Sequence, residues 1–357
     1  MKIPKVGAVT AKNLVAHCGS AEQVFRASLK ELKNITGIGD AIAQNIVNQS
    51  VLKWAEREVE FIEQNGIKIL FHTDKDFPKR LTHINDAPFL LFYKGEANLN
   101  AERVLSIVGT RKPTPYGLTM CERIVEGLLQ YNPLIISGLA YGIDAAAHRN
   151  SLHLGMTTVG ILGNGMKRIY PSEHSNLAER MMEEGGGILT EYPSDQEPDR
   201  EHFPMRNRII AGMSDAMLVI ETAKSGGSII SANLAHGYDR DLFALAGRAN
   251  DKYSAGCNWL IKTQRAQLIE NAEDIAYFMR WDELDRKKQG TQTQLFTELS
   301  ENQQLIVNIL KQKEQTSIDE LNFELTKTPS EVASLLLELE FMGIVRSLPG
   351  KRFALLS

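Results

Sequence analysis

Gly109-Thr110-Arg111-Lys112 follows the apolar run Val104 to Val108 and is the stretch of this 357-residue chain best equipped for chemistry. A buried strand that ends on a glycine, a hydroxyl and two cations is an anion-binding arrangement. A helical pattern begins just beyond it, so the helix dipole and its free amide groups are expected to point at the same place. Four later loops carry similar chemistry. The second opens with Ser137 and Gly138 and runs through Tyr141 and Gly142 to Asp144. Gly163, Gly165, Lys167 and Arg168, then Tyr170-Pro171, make the third. In the fourth, Phe203-Pro204 precedes Arg206, Asn207 and Arg208, and the fifth is Lys224, Ser225, Gly226, Gly227 and Ser228. Glycines bring backbone amides close to a phosphate, hydroxyls donate to its oxygens, and arginine grips it with two parallel bonds. One such loop taken alone reads more readily as a plain turn; five make a phosphate-rich ligand the leading reading.

Other chemistries find little support. No G-x-S-x-G surrounds Ser137, G-x-x-x-x-G-K-[ST] is absent, and the first loop is not G-x-G-x-x-G. His148 and His153 lie five apart on one helical pattern, so they face different ways and do not suit a shared metal. Asp144 reads either as a helix cap or as a ligand contact. Glu191 and Glu221, at strand ends, would repel phosphate unless each holds an arginine or lysine in place. Cys18, Cys121 and Cys257 are far apart, which gives no disulfide framework or zinc site and fits a reducing cytosol. A formal charge of -4 requires any basic surface to be local. No apolar run of about 18 residues and no signal pattern is present, so a soluble, cytoplasmic protein without membrane contact is expected.

The elements that must position these loops alternate from Arg103 to about Phe278. Strand-like runs fall at Val104 to Val108, Leu134 to Ser137, Thr157 to Leu162, Gly187 to Glu191, Ala216 to Ile220 and Leu242 to Leu245. Helical periods fall between them, at Tyr116 to Tyr131, Ile143 to Leu154, Asn176 to Glu184 and Ser228 to His236. This predicts an α/β fold with a parallel sheet covered on both faces, its ligand at the carboxyl ends of the strands. The prolines of Phe77-Pro78 and Ala87-Pro88 predict extended segments leading into it.

Residues 1–66 read as helical, and Ile35-Thr36-Gly37-Ile38-Gly39 joins two helices, the second running from Asp40 to beyond Val47. Such a turn resembles a helix-hairpin-helix able to touch a nucleic-acid phosphate, or is a plain tight turn, with only Lys33 and Lys53 adding charge nearby. The polar stretch 282–299 is the clearest linker. Beyond it, Ser300-x-x-Gln303, Ser317-x-x-Glu320 and Thr328-Pro329-x-Glu331 predict three capped helices, the last ending at Gly343. A hairpin over Ile344 to Leu356 with Pro349-Gly350 at its turn completes a winged helix. Its third helix carries Glu331, Glu338 and Glu340 and no cation, which argues against reading a DNA groove and for an interaction or auxiliary role. Lys351 and Arg352 in the wing remain available to a backbone phosphate.

The ordered series of loops resembles the bacterial DNA-processing protein A family, DprA or Smf. Its signatures here are Ser106 to Arg111 with Tyr116-Gly117, Ser137-Gly138 through Asp144 and His148, Gly163-x-Gly165 with Tyr170-Pro171, Phe203 through Gly212, and Ser225 to Ser228. The resemblance implies an extended Rossmann-like, doubly wound domain over 67–281. Around it would stand a helix-hairpin-helix or SAM-like domain at 1–66 and a winged helix at 300–357. It also implies a non-catalytic homodimer that needs no cofactor, binds single-stranded DNA and helps to load the RecA recombinase in natural transformation. Arg111 would be the principal phosphate contact, with Gly109, Thr110, Ser137, Gly138, Asn207 and Arg208 shaping the pocket. Lys167, Arg168 and Lys224 join on charge and placement, and Tyr116, Tyr141 or Phe203 would stack bases. Ser172 stands where many members carry a basic residue, and Ala246-Gly247 and Arg265-Ala266 replace the usual Pro-Gly and Gly-Ala. The alternative is a nucleoside monophosphate phosphoribohydrolase, to which Ser225 to Asn233 bears a likeness. There Asn233 occupies the position of the glutamate that would serve as general acid or base.

Overall fold

The computed structural model of the chain describes residues 2–282, 299–313, 315–325, 327–342, 344–348 and 352–355. They fall into two compact units, Met1–Phe278 and Met279–Ser357. The first opens with five helices: α1 (Ala8–Cys18), α2 (Ala21–Arg26), α3 (Leu29–Lys33), α4 (Asp40–Val47) and α5 (Leu52–Gln64). Leu14, Val24, Leu32, Ile38 and Ile46 close a small core of their own. Ser28 and Glu31 form a reciprocal capping box at the start of α3. Between α3 and α4, Gly37 takes a φ of +85°, which an L side chain resists. Lys33 is paired with Asp40 at 2.6 Å, so one of the two cations near this turn is already engaged. Helix α4 stops at Val47 rather than running past it.

Nine strands follow in one sheet: β1 (Lys68–Phe71), β2 (Leu90–Gly95), β3 (Val104–Gly109), β4 (Leu134–Ser137), β5 (Thr158–Ile161), β6 (Gly187–Thr190), β7 (Ala216–Ile220), β8 (Asp241–Leu245) and β9 (Gln267–Ile269). Their order is β1-β2-β6-β5-β4-β3-β7-β8-β9. All pairs from β6 across to β9 are parallel, and β2 joins β6 antiparallel with Phe92 opposite Thr190. The chain thus winds outward from β3 to β6, then returns to the other side of β3 as β7. At that reversal the connections leave in opposite directions and a crevice opens beyond the carboxyl ends of β3 and β7.

Helices α6 (Pro115–Gly127), α7 (Ile143–His153), α8 (Ser175–Glu183), α9 (His202–Met213), α10 (Gly227–Gly237), α11 (Ala255–Lys262) and α12 (Ala272–Phe278) accompany the strands. Alternate strand residues Val108, Ile136, Val159 and Met217 share one core with Ile209 and Ile210 of α9 and Ala232 of α10. The intervening Leu105, Ile107 and Ile135 point to the opposite face and are also fully buried. Burying one such side chain contributes about 1.5–3 kcal/mol, and burial on both faces explains the continuous apolar runs. The six expected strands are present within one or two residues of their expected limits. The segment Tyr116 to Tyr131 is not one helix: α6 ends at Gly127, and Leu129–Tyr131 forms a 3₁₀ turn that stops on left-handed Asn132.

In the second unit, α13 (Glu301–Lys313), α14 (Ile318–Leu325) and α15 (Pro329–Phe341) accompany a sheet of β10 (Gln315–Ser317), β12 (Arg352–Leu355) and β11 (Val345–Leu348) in that order. All three expected caps form, with Ser300 and Gln303, Ser317 and Glu320, and Thr328 and Glu331 bonding reciprocally. The acids of α15 have structural partners. Glu338 accepts from Gln303 Nε2 at 2.8 Å, and Glu340 from the Ser347 amide at 3.3 Å. The expected linker, apart from its ends, together with Gly343, Pro349-Gly350 and Lys351, lies outside the described residues.

Candidate nucleic-acid interface

A cleft of about 830 Å³ lies where β3 and β7 part. One wall is the loop after β3, with Gly109, Thr110 and Arg111; the facing wall is Ser225, Gly226, Gly227 and Ser228, which lead into α10. The β3 loop is held from behind. Glu221, at the end of β7, accepts the Thr110 amide on its backbone carbonyl at 2.7 Å. Its carboxylate, on a residue 2% exposed, accepts the Thr114 amide at 2.8 Å and the Thr114 hydroxyl. Glu221 therefore holds no cation; it braces the loop. A Cβ on Gly117 would meet that carboxylate at 2.3 Å, so the Tyr116-Gly117 pair makes room for the brace.

This arrangement reassigns the helix that serves the cleft. Thr114 closes the start of α6 by accepting the Gly117 amide at 3.2 Å, so that amide is already taken, and the first turn of α6 is not part of the cleft lining. The helix starts that line the cleft are that of α9, which brings Phe203 and Pro204, and that of α10, with Gly226 at its N-cap, no side-chain cap and no acid in its first turn. The free amides and dipole of α10 favour an anion there.

Arg206 and Asn207, in the first turns of α9, form the floor of the cleft. Arg206 is 4% exposed and donates to the Ile161 carbonyl at 2.7 Å, while its Nε has no partner. Burial pushes this guanidinium down to about 10, opposed by Asp144 and assisted by the like charge of Arg111. Arg111 and Arg206 thus share one region with a single carboxylate, Asp144. Asp144, pushed up by burial and drawn down chiefly by Arg206, caps no helix with its side chain. Both groups fill the space beside Gly138, where a Cβ would lie 2.0 Å from Arg206 Nη1 and 2.5 Å from Asp144 Oδ2. That glycine makes room for a buried charge pair, in a recess adjoining the cleft that Arg111, Tyr141 and Tyr170 also line.

Aromatic groups stand beside the cations. The Arg111 guanidinium lies 5.9 Å from the centre of the Phe203 ring, and the Tyr170 ring lies 5.4 Å from Phe203. Tyr116 turns away and donates to the Ala246 carbonyl. Arg200 and Tyr253, which no motif marked, also line the cleft; Arg200 was hidden in an acidic stretch from Asp195 to Glu201.

Six expected contacts lie elsewhere. Ser137 is fully buried and donates to the Ile107 carbonyl at 2.6 Å. Arg208 projects from α9 two residues after Arg206, hence to the opposite side of the helix, where it pairs with Glu191. This is the cation-holding role required of a carboxylate near a phosphate site. Lys112, Lys167, Arg168 and Lys224 are exposed and do not line the cleft. Arg168 pairs with Glu197 at 3.0 Å. An Arg168→Ala variant is therefore expected to bind oligonucleotide within about threefold of the parent in a filter-binding assay, as for an exposed ion pair worth about 0–1 kcal/mol.

His148 is buried, bonded to Thr158 Oγ1 at 2.6 Å, and pushed down to about 3 by burial. Among the described residues, no group of three or more His, Cys, Asp or Glu side chains is placed to hold a metal ion, and no helix is long and apolar enough to cross a membrane.

A crevice at the switch point of a doubly wound sheet, floored by buried arginine and faced by an open helix start, places the fold in the broad Rossmann-like class that accepts phosphorylated ligands. Within that class, the chain belongs to the DNA recombination-mediator protein A family, whose profile matches residues 68–280. A helix-hairpin-helix profile matches residues 1–56 and a DprA winged-helix profile residues 291–351. Protein Smf of Synechocystis sp. is 31% identical, covering 99% of this chain and 96% of its own. The crystal structure of DNA processing protein A from Streptococcus pneumoniae superposes with a TM-score of 0.66 at 30% identity, over 75% of this chain and 91% of the other. DNA processing protein A from Helicobacter pylori, whose structure was described for its single-stranded DNA binding mode, gives 0.54 at 29% identity, over 60% and 96%.

Proposed function

We propose that this protein binds single-stranded DNA without regard to sequence, by gripping phosphates in the cleft at the β3–β7 reversal, and performs no chemistry on it. One observation carries the reading: Arg111 sits over Phe203, with Tyr170 beside that ring, at the cleft that buried Arg206 floors. A cation beside an aromatic platform suits a strand whose bases are free to stack, and each stacked base contributes about 1–3 kcal/mol. The Helicobacter pylori relative supports it by its described DNA binding mode. Gly109, Thr110, Arg111, Asn207 and Ser225 to Ser228 contact the backbone in this reading, with Arg206 beneath them.

Catalysis on a nucleoside monophosphate fits less well. Asn233, at the position of the phosphoribohydrolase glutamate, is exposed and accepts from Arg265 Nη1 at 2.8 Å. Among the described residues that line the cleft, Asp144 is the one carboxylate, and it faces Arg206. The reading extends to a cytoplasmic homodimer that hands its strand to RecA during transformation, an extension resting on family kinship. It divides the chain into a helical domain (1–66), the DNA-binding domain (67–281), a linker (282–299) and a winged helix (300–357) that contacts proteins rather than a DNA groove.

The test is anisotropy of a labelled oligonucleotide as single strand and as duplex. The single strand is expected to bind at least tenfold more tightly, and the affinity to fall linearly on a logarithmic salt axis. Equal affinity for both forms, or release of ribose 5-phosphate from a nucleoside monophosphate, overturns the reading.

A further inference from the structure

The segment that leads from β6 into α9, residues 193–201, ends at the cleft: Arg200 lines it, and Phe203 follows in the first turn of the helix. On the reading of the cleft as a single-stranded DNA site, we propose that the N-terminal helical domain positions its aromatic platform through this strap, with Glu58 of α5 as the positioning residue.

Glu58 is 7% exposed, although a carboxylate on a helix is normally solvated. Both of its oxygens are used. Oε1 accepts the Ser194 amide and Oε2 the Ser194 hydroxyl, each at 2.7 Å. One turn earlier on α5, Trp54 Nε1 donates to Asp195 Oδ2 at 2.9 Å. Lys2 pairs with the other oxygen of Asp195 at 3.0 Å and lies 5.0 Å over the Trp54 ring. The N-terminal domain thus grips two consecutive residues of the strap, and bonds to a charged group are the stronger kind.

The strap in turn carries the loop after β5. The Ser194 carbonyl accepts the Lys167 amide at 3.3 Å, and the Gln196 carbonyl accepts the Gly165 amide at 2.8 Å. A Cβ on Gly165 would lie 2.1 Å from the Pro193 carbonyl oxygen and 2.3 Å from that of Ser194, so this glycine lets the two backbones meet. Thr190 fixes the start of the loop by donating to the Asn164 carbonyl at 2.9 Å, and the strap supports it from Gly165 to Lys167. Tyr170 lies three residues further on, with its ring 5.4 Å from that of Phe203. The two rings therefore share one root: the loop delivers Tyr170, the strap delivers Phe203, and Ser194 joins both to Glu58. Arg111, 5.9 Å from the Phe203 ring, comes instead from the end of β3, which makes none of these bonds.

The test uses that separation of rings from cation. Anisotropy compares a labelled oligonucleotide with an abasic strand of the same length, which keeps its phosphates and has no bases to stack. The parent is expected to bind the base-bearing strand roughly tenfold more tightly or better. In Glu58→Ala this preference is expected to fall by about fivefold, with the abasic strand bound within about threefold of the parent. Glu58→Gln offers an oxygen to the Ser194 amide and an NH₂ to its hydroxyl, so it should restore the preference to within about twofold. Gly165→Ala, which forces loop and strap apart without touching α5, should reproduce the Glu58→Ala result. An undiminished preference in Glu58→Ala, or an equal loss for both strands, overturns the proposal, since the latter makes Glu58 a residue of the fold alone. Should Glu58→Ala not fold, Trp54→Phe decides: it removes only the donor to Asp195 and is expected to lower the preference by about two- to threefold, and an unchanged preference overturns the proposal. A parent that binds both strands alike would overturn the reading of the cleft itself, and this proposal with it.

Discussion

Replacing Arg111 with alanine is expected to weaken single-stranded DNA binding by about 1.5–3 kcal/mol, roughly ten- to a hundredfold, the range of a hydrogen bond to a charged group. The side chain is exposed and its interaction in the cleft is with the Phe203 ring, so no buried partner is abandoned when it goes. The midpoint of thermal unfolding should stay within about 2 °C, because exposed substitutions fall within about 0.5 kcal/mol. The salt dependence separates a phosphate contact from general loss of function. Neutralising one contacted phosphate lowers the slope of log K against log salt by roughly 0.7 for a single strand. Arg111→Lys keeps that slope while losing the paired bonds of a guanidinium, so it is expected to bind between the parent and Arg111→Ala. Unchanged affinity in Arg111→Ala would remove the cleft as the binding site.

Glu221→Ala provides the second large effect, with a sign opposite to simple electrostatics. Deleting a carboxylate beside a phosphate site ought to help an anion bind. Here it is expected to weaken DNA binding at least tenfold and to destabilise the fold by about 2–3 kcal/mol. The carboxylate accepts both the amide and the hydroxyl of Thr114 in a buried setting, and leaving such donors unsatisfied costs about 1–3 kcal/mol. Once Thr114 is released, the side chain that caps α6 and the far end of the loop that starts at Gly109 lose their anchor, although the backbone carbonyl of residue 221 still accepts the Thr110 amide. Glu221→Gln, which keeps one acceptor, should recover part of both losses. Equilibrium denaturation and anisotropy on the same samples measure the two. If Glu221→Ala bound DNA more tightly, the brace would have to be abandoned in favour of plain charge repulsion.

These two residues also mark what could be read from the chain alone. Arg111 was legible because a strand buried on both faces, stopped by Gly109, fixes where the next side chains emerge. The same rule recovered the central strands and the cleft loops. β9 and β10, three residues each, were not anticipated, since so short a strand has no alternation to read and depends on its neighbours. Side-chain direction was the other gap. Arg206 and Arg208 are indistinguishable in sequence, yet the helical phase of α9 sends one to the cleft and the other to Glu191. Ser137 carries a hydroxyl at a strand end as expected, but it turns inward to a carbonyl. Glu221 was assessed only as a charge, because its partner Thr114 lies 107 residues earlier and becomes its neighbour only when β7 pairs with β3.

That pairing also sets a schedule for the nascent chain. β3 gains β4 as a neighbour early, but its other edge stays open until β7 is made, and β2 cannot find β6 until Gly187–Thr190 has been synthesised. At a ribosomal pace of about 5–20 residues per second, the hundred or so residues from β3 to β7 take roughly 5–20 s. During that interval an apolar strand edge, the side of β3 on which β7 will pair, is available to other chains. The reversal that creates the binding cleft is therefore also the step at which newly made protein is most exposed to aggregation, and where a chaperone would have most to protect.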